Sequence, residues 1–152
     1  MSNLREKLEL ICHDLHEKRS HMIAGMIKPF VIDVDEDGMS SILGFPCMEW
    51  EQNPNGVIHG GIMATMIDTA IGLTTIAATE TLTPTINLQI SYLRPCPADG
   101  TVAIRSHITM LGGSVIHTRA EAFDTREPEK LVATAEGAYR LFKTSRPYLE
   151  LL

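Results

Sequence analysis

His59, Gly60, Gly61 and Asp68 are the residues of this chain whose types and spacing suit chemistry. They belong to the stretch Asn53-Pro54-Asn55-Gly56-Val57-Ile58-His59-Gly60-Gly61 and to the helical segment that follows it, Ile62 to Thr79. Two glycines after a histidine let the backbone bend tightly and leave its amides uncovered. A glycine amide at a helix N-terminus is an unsatisfied donor backed by the positive end of the helix dipole. Such a donor suits a carbonyl oxygen on which negative charge develops. Asn53 and His59 could add donors. Asp68 is the one charge in an otherwise apolar or small segment, so it needs a partner, a proton or a task. It could act as a general base on water or attack directly. Together these residues suit acyl transfer, with no metal or cofactor needed.

The spacing adds a constraint. His59 and Asp68 are nine residues apart, roughly 13 Å along a helix axis at 1.5 Å per residue. In one straight helix Asp68 cannot reach its own His59-Gly60 turn. The two meet only if a second copy runs antiparallel beside the first, which predicts a site shared across a two-fold dimer.

The elements that must position these groups follow from hydrophobic periodicity. Leu4, Leu8, Ile11 and Leu15 recur at helical spacing, predicting an amphipathic helix from about Ser2 to Ser20. His13 and His16 share a face with Glu17 there and are expected on a solvated surface rather than around a metal. Phe30 to Asp35 and Met39 to Phe45 read as strands, with Asp37-Gly38 as a hairpin turn. Pro46 to Gly56 is a loop holding the one tryptophan, Trp50, as an anchor. The helix after Gly61 is apolar nearly all round and should be covered on most sides. One stripe on it is small and polar: Gly61, Thr65, Asp68, Gly72 and Thr75. Pro84 to Tyr92 alternates, with Thr85, Asn87, Gln89 and Ser91 on one face and Ile86, Leu88, Ile90 and Tyr92 on the other. Thr101 to Leu111 and Ser114 to Asp124 are joined by Gly112-Gly113, and Lys130 to Lys143 is the last strand. The expected class is α+β: a curved antiparallel sheet around one long central helix, with an extra N-terminal helix.

Composition narrows the function classes. A chain of 152 residues suits a single domain over 1–152, with the N-terminal helix in 1–24 and a core in 25–145. The net charge of −6 argues against nucleic-acid binding. Residues 1–76 carry 5 basic and 11 acidic side chains, whereas residues 77–152 carry 8 of each, so an anionic ligand should meet the second half. Cys12, Cys47 and Cys96 show no metal-ligand spacing and are expected as reduced thiols in a cytoplasmic setting. The charged, amphipathic N-terminus does not read as a signal peptide. Gly61 to Ala78 has the length of a membrane span, but Asp68, four threonines and two glycines favour a buried core helix and no membrane partner.

The stretch N-P-N-G-V-I-H-G-G-I-M-A-T-M-I-D-T-A-I-G resembles the signature of hotdog-fold thioesterases of the PaaI-like, or 4-hydroxybenzoyl-CoA thioesterase-like, type. The later P-T-I-N-L-Q-I-S-Y-L-R-P is similar to that family's next strand, and the resemblance runs from about Phe30 to Phe142. It implies a sheet wrapped around a central helix, dimers joined into one continuous sheet, and often a dimer of dimers. It also implies hydrolysis of an acyl-CoA thioester, with CoA as part of the substrate and no cofactor. By resemblance Gly60 offers the oxyanion amide, His59 and Asn53 orient the carbonyl, and the partner chain's Asp68 is base or nucleophile. Thr85 lies where relatives place a hydroxyl that helps hold the water. Asn55 is two residues from the matching asparagine, so the assignment lies between it and Asn53. Gly61 shares the turn. Arg94, Lys143 and Arg146 are the candidate cations for the CoA phosphates, chosen by the charge asymmetry. The alternative from another class is a non-catalytic acyl-CoA-binding regulator on the same fold. Retention of Asp68 favours the enzyme.

Overall fold

A computed structural model describes residues 3–36, 39–143 and 147–152. The expected Asp37-Gly38 turn, Ser2 and the candidate cation Arg146 lie outside the described residues. The N-terminal helix α1 is Leu4–Glu17. Asn3 caps it: its Oδ1 accepts from the Glu6 N–H at 2.9 Å, and Glu6 Oε2 accepts from the Asn3 N–H at 3.3 Å. The apolar stripe Leu4, Leu8, Ile11 and Leu15 is buried, whereas His13 and His16 face solvent. A single-turn helix α2, Ile23–Met26, follows in a stretch without a periodic pattern.

Among the described residues, six strands form one antiparallel sheet: β1 Phe30–Asp35, β2 Ser40–Pro46, β3 Thr85–Tyr92, β4 Thr101–Leu111, β5 Val115–Asp124 and β6 Leu131–Arg140. Their order across the sheet is β1-β2-β4-β5-β6-β3. Between β2 and β3 the chain runs through α3, Gly60–Thr79, which packs against the sheet and against α1. Met63, Met66, Ile67, Ala70 and Ile71 of α3 share the core with Leu43, Phe45, Ile104 and Ile116 of the strands. Each such Met, Leu, Ile or Phe side chain, when fully buried, stabilises the fold by roughly 1.5–3 kcal/mol. The remaining α3 face, with Asp68 and Gly72, stays partly open, and a Cβ at Gly72 would meet nothing within 4 Å.

β3 sits beside β6, and its other edge has no strand partner among the described residues. Both its faces are largely exposed, and Ile86, Tyr92 and the following Leu93 are about half exposed. The sheet also corrects one sequence expectation. Strict alternation puts Thr85 on the same face as Asn87. The β3–β6 register shifts between Thr85 and Asn87, so that Thr85 pairs with Tyr139 and Asn87 with Ala138. This β-bulge turns Thr85 to the helix side, out of its polar row. Trp50 lies in a 3-10 turn, Glu49–Glu51, and is half exposed rather than anchoring the loop in the core. Cys12 and Cys96 are buried, Cys47 is half-buried, and all three are free thiols.

Candidate active site

The turn before α3 is built around His59. As the N-cap of the helix, His59 accepts the Gly61 N–H on its own Nδ1 at 2.9 Å. The accepting Nδ1 leaves Nε2 to carry the ring proton of the neutral imidazole, so the exposed ring presents a donor outward. The His59 N–H in turn donates to the backbone carbonyl of Glu51 at 2.8 Å. Glu51 is fully buried; its Oε2 accepts from the Met48 N–H at 2.9 Å, and burial pushes its carboxyl above the usual carboxylate range. These bonds hold the turn from behind.

In front, the Gly60 N–H has no acceptor among the described residues. It points from the first turn of a 20-residue helix, where the dipole favours negative charge. The Gly61 N–H, by contrast, is already taken by His59. Tyr92 closes one side, its hydroxyl donating to the Gly60 carbonyl at 2.7 Å. Asn53 works partly as a loop brace: its Oδ1 accepts from the Asn55 N–H at 2.9 Å and the Val57 N–H at 3.4 Å. Its side-chain amide is the end left to donate. Asn55 is exposed and contributes its backbone N–H to that brace.

Asp68 occupies the middle of α3, two turns further on, and is held by two hydroxyls. Thr85 Oγ1 donates to Asp68 Oδ1 at 2.7 Å, and the Tyr139 hydroxyl donates to the same oxygen at 2.8 Å. Thr85 and Tyr139 are cross-strand partners, so the bulge and the β3–β6 pairing deliver both donors together. Tyr139 is buried. Burial first, and then the negative charge of Asp68, push its phenol well above the usual range, so it remains a donor. Asp68 Oδ2 has no protein partner among the described residues. The carboxylate is therefore oriented through one oxygen and open through the other.

Among the other sequence candidates, Arg94 is exposed and donates through Nη1 to the Leu131 carbonyl at 2.7 Å. It lies on a groove of about 320 Å³ that reaches Gly60 between Ile58, Met63, Leu93 and Val132. Lys143 is exposed beyond the end of β6. Because α3 is one uninterrupted helix, Asp68 and Gly60 remain about 12 Å apart within a chain. Tyr139, Tyr92 and Glu51 were absent from the sequence candidates. Tyr139 alone carried a signal: on its side of β6 it follows Ala133, Ala135 and Gly137, a phenol at the end of a row of small residues.

Comparison with known proteins bears on the family and the fold. The profile of the thioesterase superfamily matches residues 55–130, half of the chain. The chain is 37% identical over 84 residues to the bovine acyl-coenzyme A thioesterase THEM4, covering 55% of this chain and 34% of that protein. It thus spans about a third of the length of that relative. Among solved structures, a phenylacetic acid degradation-related protein from Ralstonia eutropha superposes with a TM-score of 0.76 at 25% identity, over 89% of this chain and 99% of that one. The smu.793 protein of Streptococcus mutans, solved bound to acetyl CoA, superposes with a TM-score of 0.68 at 18% identity, over 78% of this chain and 91% of that one. The fold is the hotdog fold, and the chain belongs to the thioesterase superfamily.

Proposed function

We propose that this member of the thioesterase superfamily hydrolyses an acyl-CoA thioester to the free acid and CoA, at a site completed by a second copy of the chain. The observation that carries the reading is the Asp68 carboxylate, fixed through Oδ1 by Thr85 and Tyr139 and open at Oδ2. A carboxylate so held is aimed rather than merely satisfied. The other half of the chemistry is the free Gly60 N–H at the start of the same helix. The unpaired edge of β3 supports a two-chain site, since a second β3 would extend the sheet there and bury its exposed apolar side chains. An antiparallel pair of α3 helices then brings Asp68 of one copy towards Gly60 of the other.

In the reaction, Asp68 Oδ2 takes a proton from water as the water oxygen bonds to the thioester carbonyl carbon. The carbonyl oxygen becomes an oxyanion facing the Gly60 N–H, with His59 and the Asn53 amide as further donors. Collapse breaks the carbon–sulfur bond. The thiolate of CoA leaves well and takes up a proton, so strong acid assistance is not required. No step uses a metal or a separate cofactor. In the variant mechanism Asp68 attacks the carbonyl itself, and a mixed anhydride is then hydrolysed. Arg94 and Lys143 supply positive charge for the CoA phosphates, and the three free thiols suit a reducing, cytoplasmic setting.

The test is a panel of aromatic, medium-chain and long-chain acyl-CoA esters, read with a thiol-detecting reagent. Release of CoA that depends on Asp68 supports the enzyme. Tight binding of several esters with no release by a folded dimer would replace it with the acyl-CoA-binding regulator. A single turnover in ¹⁸O-water reads the mechanism: base catalysis puts the label in the product acid, whereas direct attack followed by water opening the anhydride at the Asp68 carbonyl puts it in Asp68 and leaves the acid unlabelled.

A further inference from the structure

We infer that Tyr92 is a positioning residue of the oxyanion donor: it locks the Gly60–Gly61 peptide plane and thereby aims the Gly60 N–H. The inference rests on the proposed thioester hydrolysis and adds to it a residue that neither spacing nor resemblance singled out.

The argument is geometric. The peptide unit between Gly60 and Gly61 is a rigid plane. Its carbonyl end receives the Tyr92 hydroxyl at 2.7 Å, and its N–H end is held by His59 Nδ1 at 2.9 Å. Both ends of one plane are thus bonded to side chains from different elements, β3 and the loop before α3. The preceding plane carries the free Gly60 N–H. On its far side the His59 N–H is fixed to the Glu51 carbonyl at 2.8 Å. The plane with the Gly60 N–H is itself held at its carbonyl end, where the His59 oxygen accepts from the Ile62 N–H at 2.9 Å and the Met63 N–H at 3.0 Å. What Tyr92 adds is the second fixed plane, so that the torsions of Gly60, the residue with the most freedom to drift, are set from both sides. An unclamped donor would lose alignment with the oxyanion, where such stabilisation depends on pre-set geometry.

Simple packing does not account for the contact. Within one chain Tyr92 is 55% exposed, so its own core does not place the ring. Its hydroxyl bonds the backbone at the start of α3. Its ring atoms also lie within 3.6–3.7 Å of where a Gly60 Cβ would stand, so Tyr92 covers that flank of the glycine. The residue ends β3, the unpaired edge strand, so pairing of that edge with a second chain would stiffen the element that carries the clamp.

The experiment compares Tyr92→Phe, His59→Ala and the double variant as folded dimers. Tyr92→Phe keeps the ring and removes only the donor. Its kcat should fall about tenfold, with KM changed less than twofold and an unchanged thermal midpoint. In the His59→Ala background the same substitution should cost less than twofold, because one end of the plane is already free. A merely structural tyrosine would instead move the midpoint, or act additively with His59. A kcat within twofold of wild type for Tyr92→Phe, or full additivity, overturns the inference. A second arm needs no turnover: the Gly61 amide nitrogen, attached to the carbonyl that Tyr92 bonds, should shift in the ¹⁵N spectrum of Tyr92→Phe, and an unmoved resonance also overturns the clamp. If the wild type releases CoA from no ester while that resonance does shift, the proposed hydrolysis fails and the clamp stands.

Discussion

Replacing Asp68 separates its charge from its role as an acceptor. In Asp68→Asn the side-chain carbonyl still accepts from Thr85 and Tyr139, so the strand–helix contact survives. Two charge-assisted bonds become neutral ones, a cost of about 1 kcal/mol, or roughly 2–4 °C in thermal midpoint for a chain of this size. The base is lost, so kcat should drop roughly 10²–10⁴-fold. Asp68→Ala differs in a way the structure dictates. Thr85 is exposed and can turn to water, but the Tyr139 hydroxyl is buried and would have no acceptor. That orphan donor costs about 1–3 kcal/mol, offset by a few tenths from the better helix propensity of alanine. Adding Tyr139→Phe to Asp68→Ala removes the orphan, so the double variant should be more stable than Asp68→Ala alone. The shared site is tested in the same series by refolding equal amounts of Asp68→Asn and His59→Ala. His59→Ala is the better partner than Asn53→Ala, because Asn53 also braces its loop. About half the dimers are then mixed, and each has one intact site of two, so activity should return to roughly a quarter of wild type. Midpoints come from thermal melts, turnover from thiol release, and subunit exchange from tagged chains. Mixed dimers without recovered activity would refute the two-chain site. Equal stability of Asp68→Asn, Asp68→Ala and wild type would refute the Tyr139 contact.

Gly60→Ala should fold, since its added methyl would lie at ordinary contact distance, 3.6 Å from the Tyr92 ring, yet it should impair turnover by crowding the carbonyl's approach; unchanged catalytic efficiency would remove Gly60 from the site. Hydrolysis should survive chelator treatment, and a loss restored by one specific metal would overturn the metal-free mechanism. Burial pushes the Cys12 and Cys96 thiols up to about 12, so at pH 8 the native protein should react with a thiol reagent only at half-buried Cys47, and slowly. Three fast-reacting thiols in the folded protein would contradict this packing.

Much of the fold was legible because its signals are local. Fixed periods in α1, α3 and the strands depend on residues three, four or two apart, and those patterns survive folding intact. The hairpin at Gly112 is of this kind: its N–H bonds the Val115 carbonyl at 3.0 Å, and a Cβ there would meet that oxygen at 2.6 Å. The short elements α2 and Glu49–Glu51 were not legible, since a single turn has no period to read. The site divides along the same line. The His59-Gly60-Gly61 turn and Asp68 sit in one continuous stretch, so their types and spacing show together. The groups that hold Asp68 come from two strands: Thr85 and Tyr139 are ladder partners although 54 residues apart in sequence (139 − 85). No local pattern reports that pairing. The bulge between Thr85 and Asn87 goes further and inverts what alternation predicts for Thr85. Strict alternation would have left the hydroxyl on the outer face, away from the helix. The irregularity is thus where local regularity yields to the site: one extra residue in β3 turns Thr85 inward, opposite Tyr139 and onto the carboxylate.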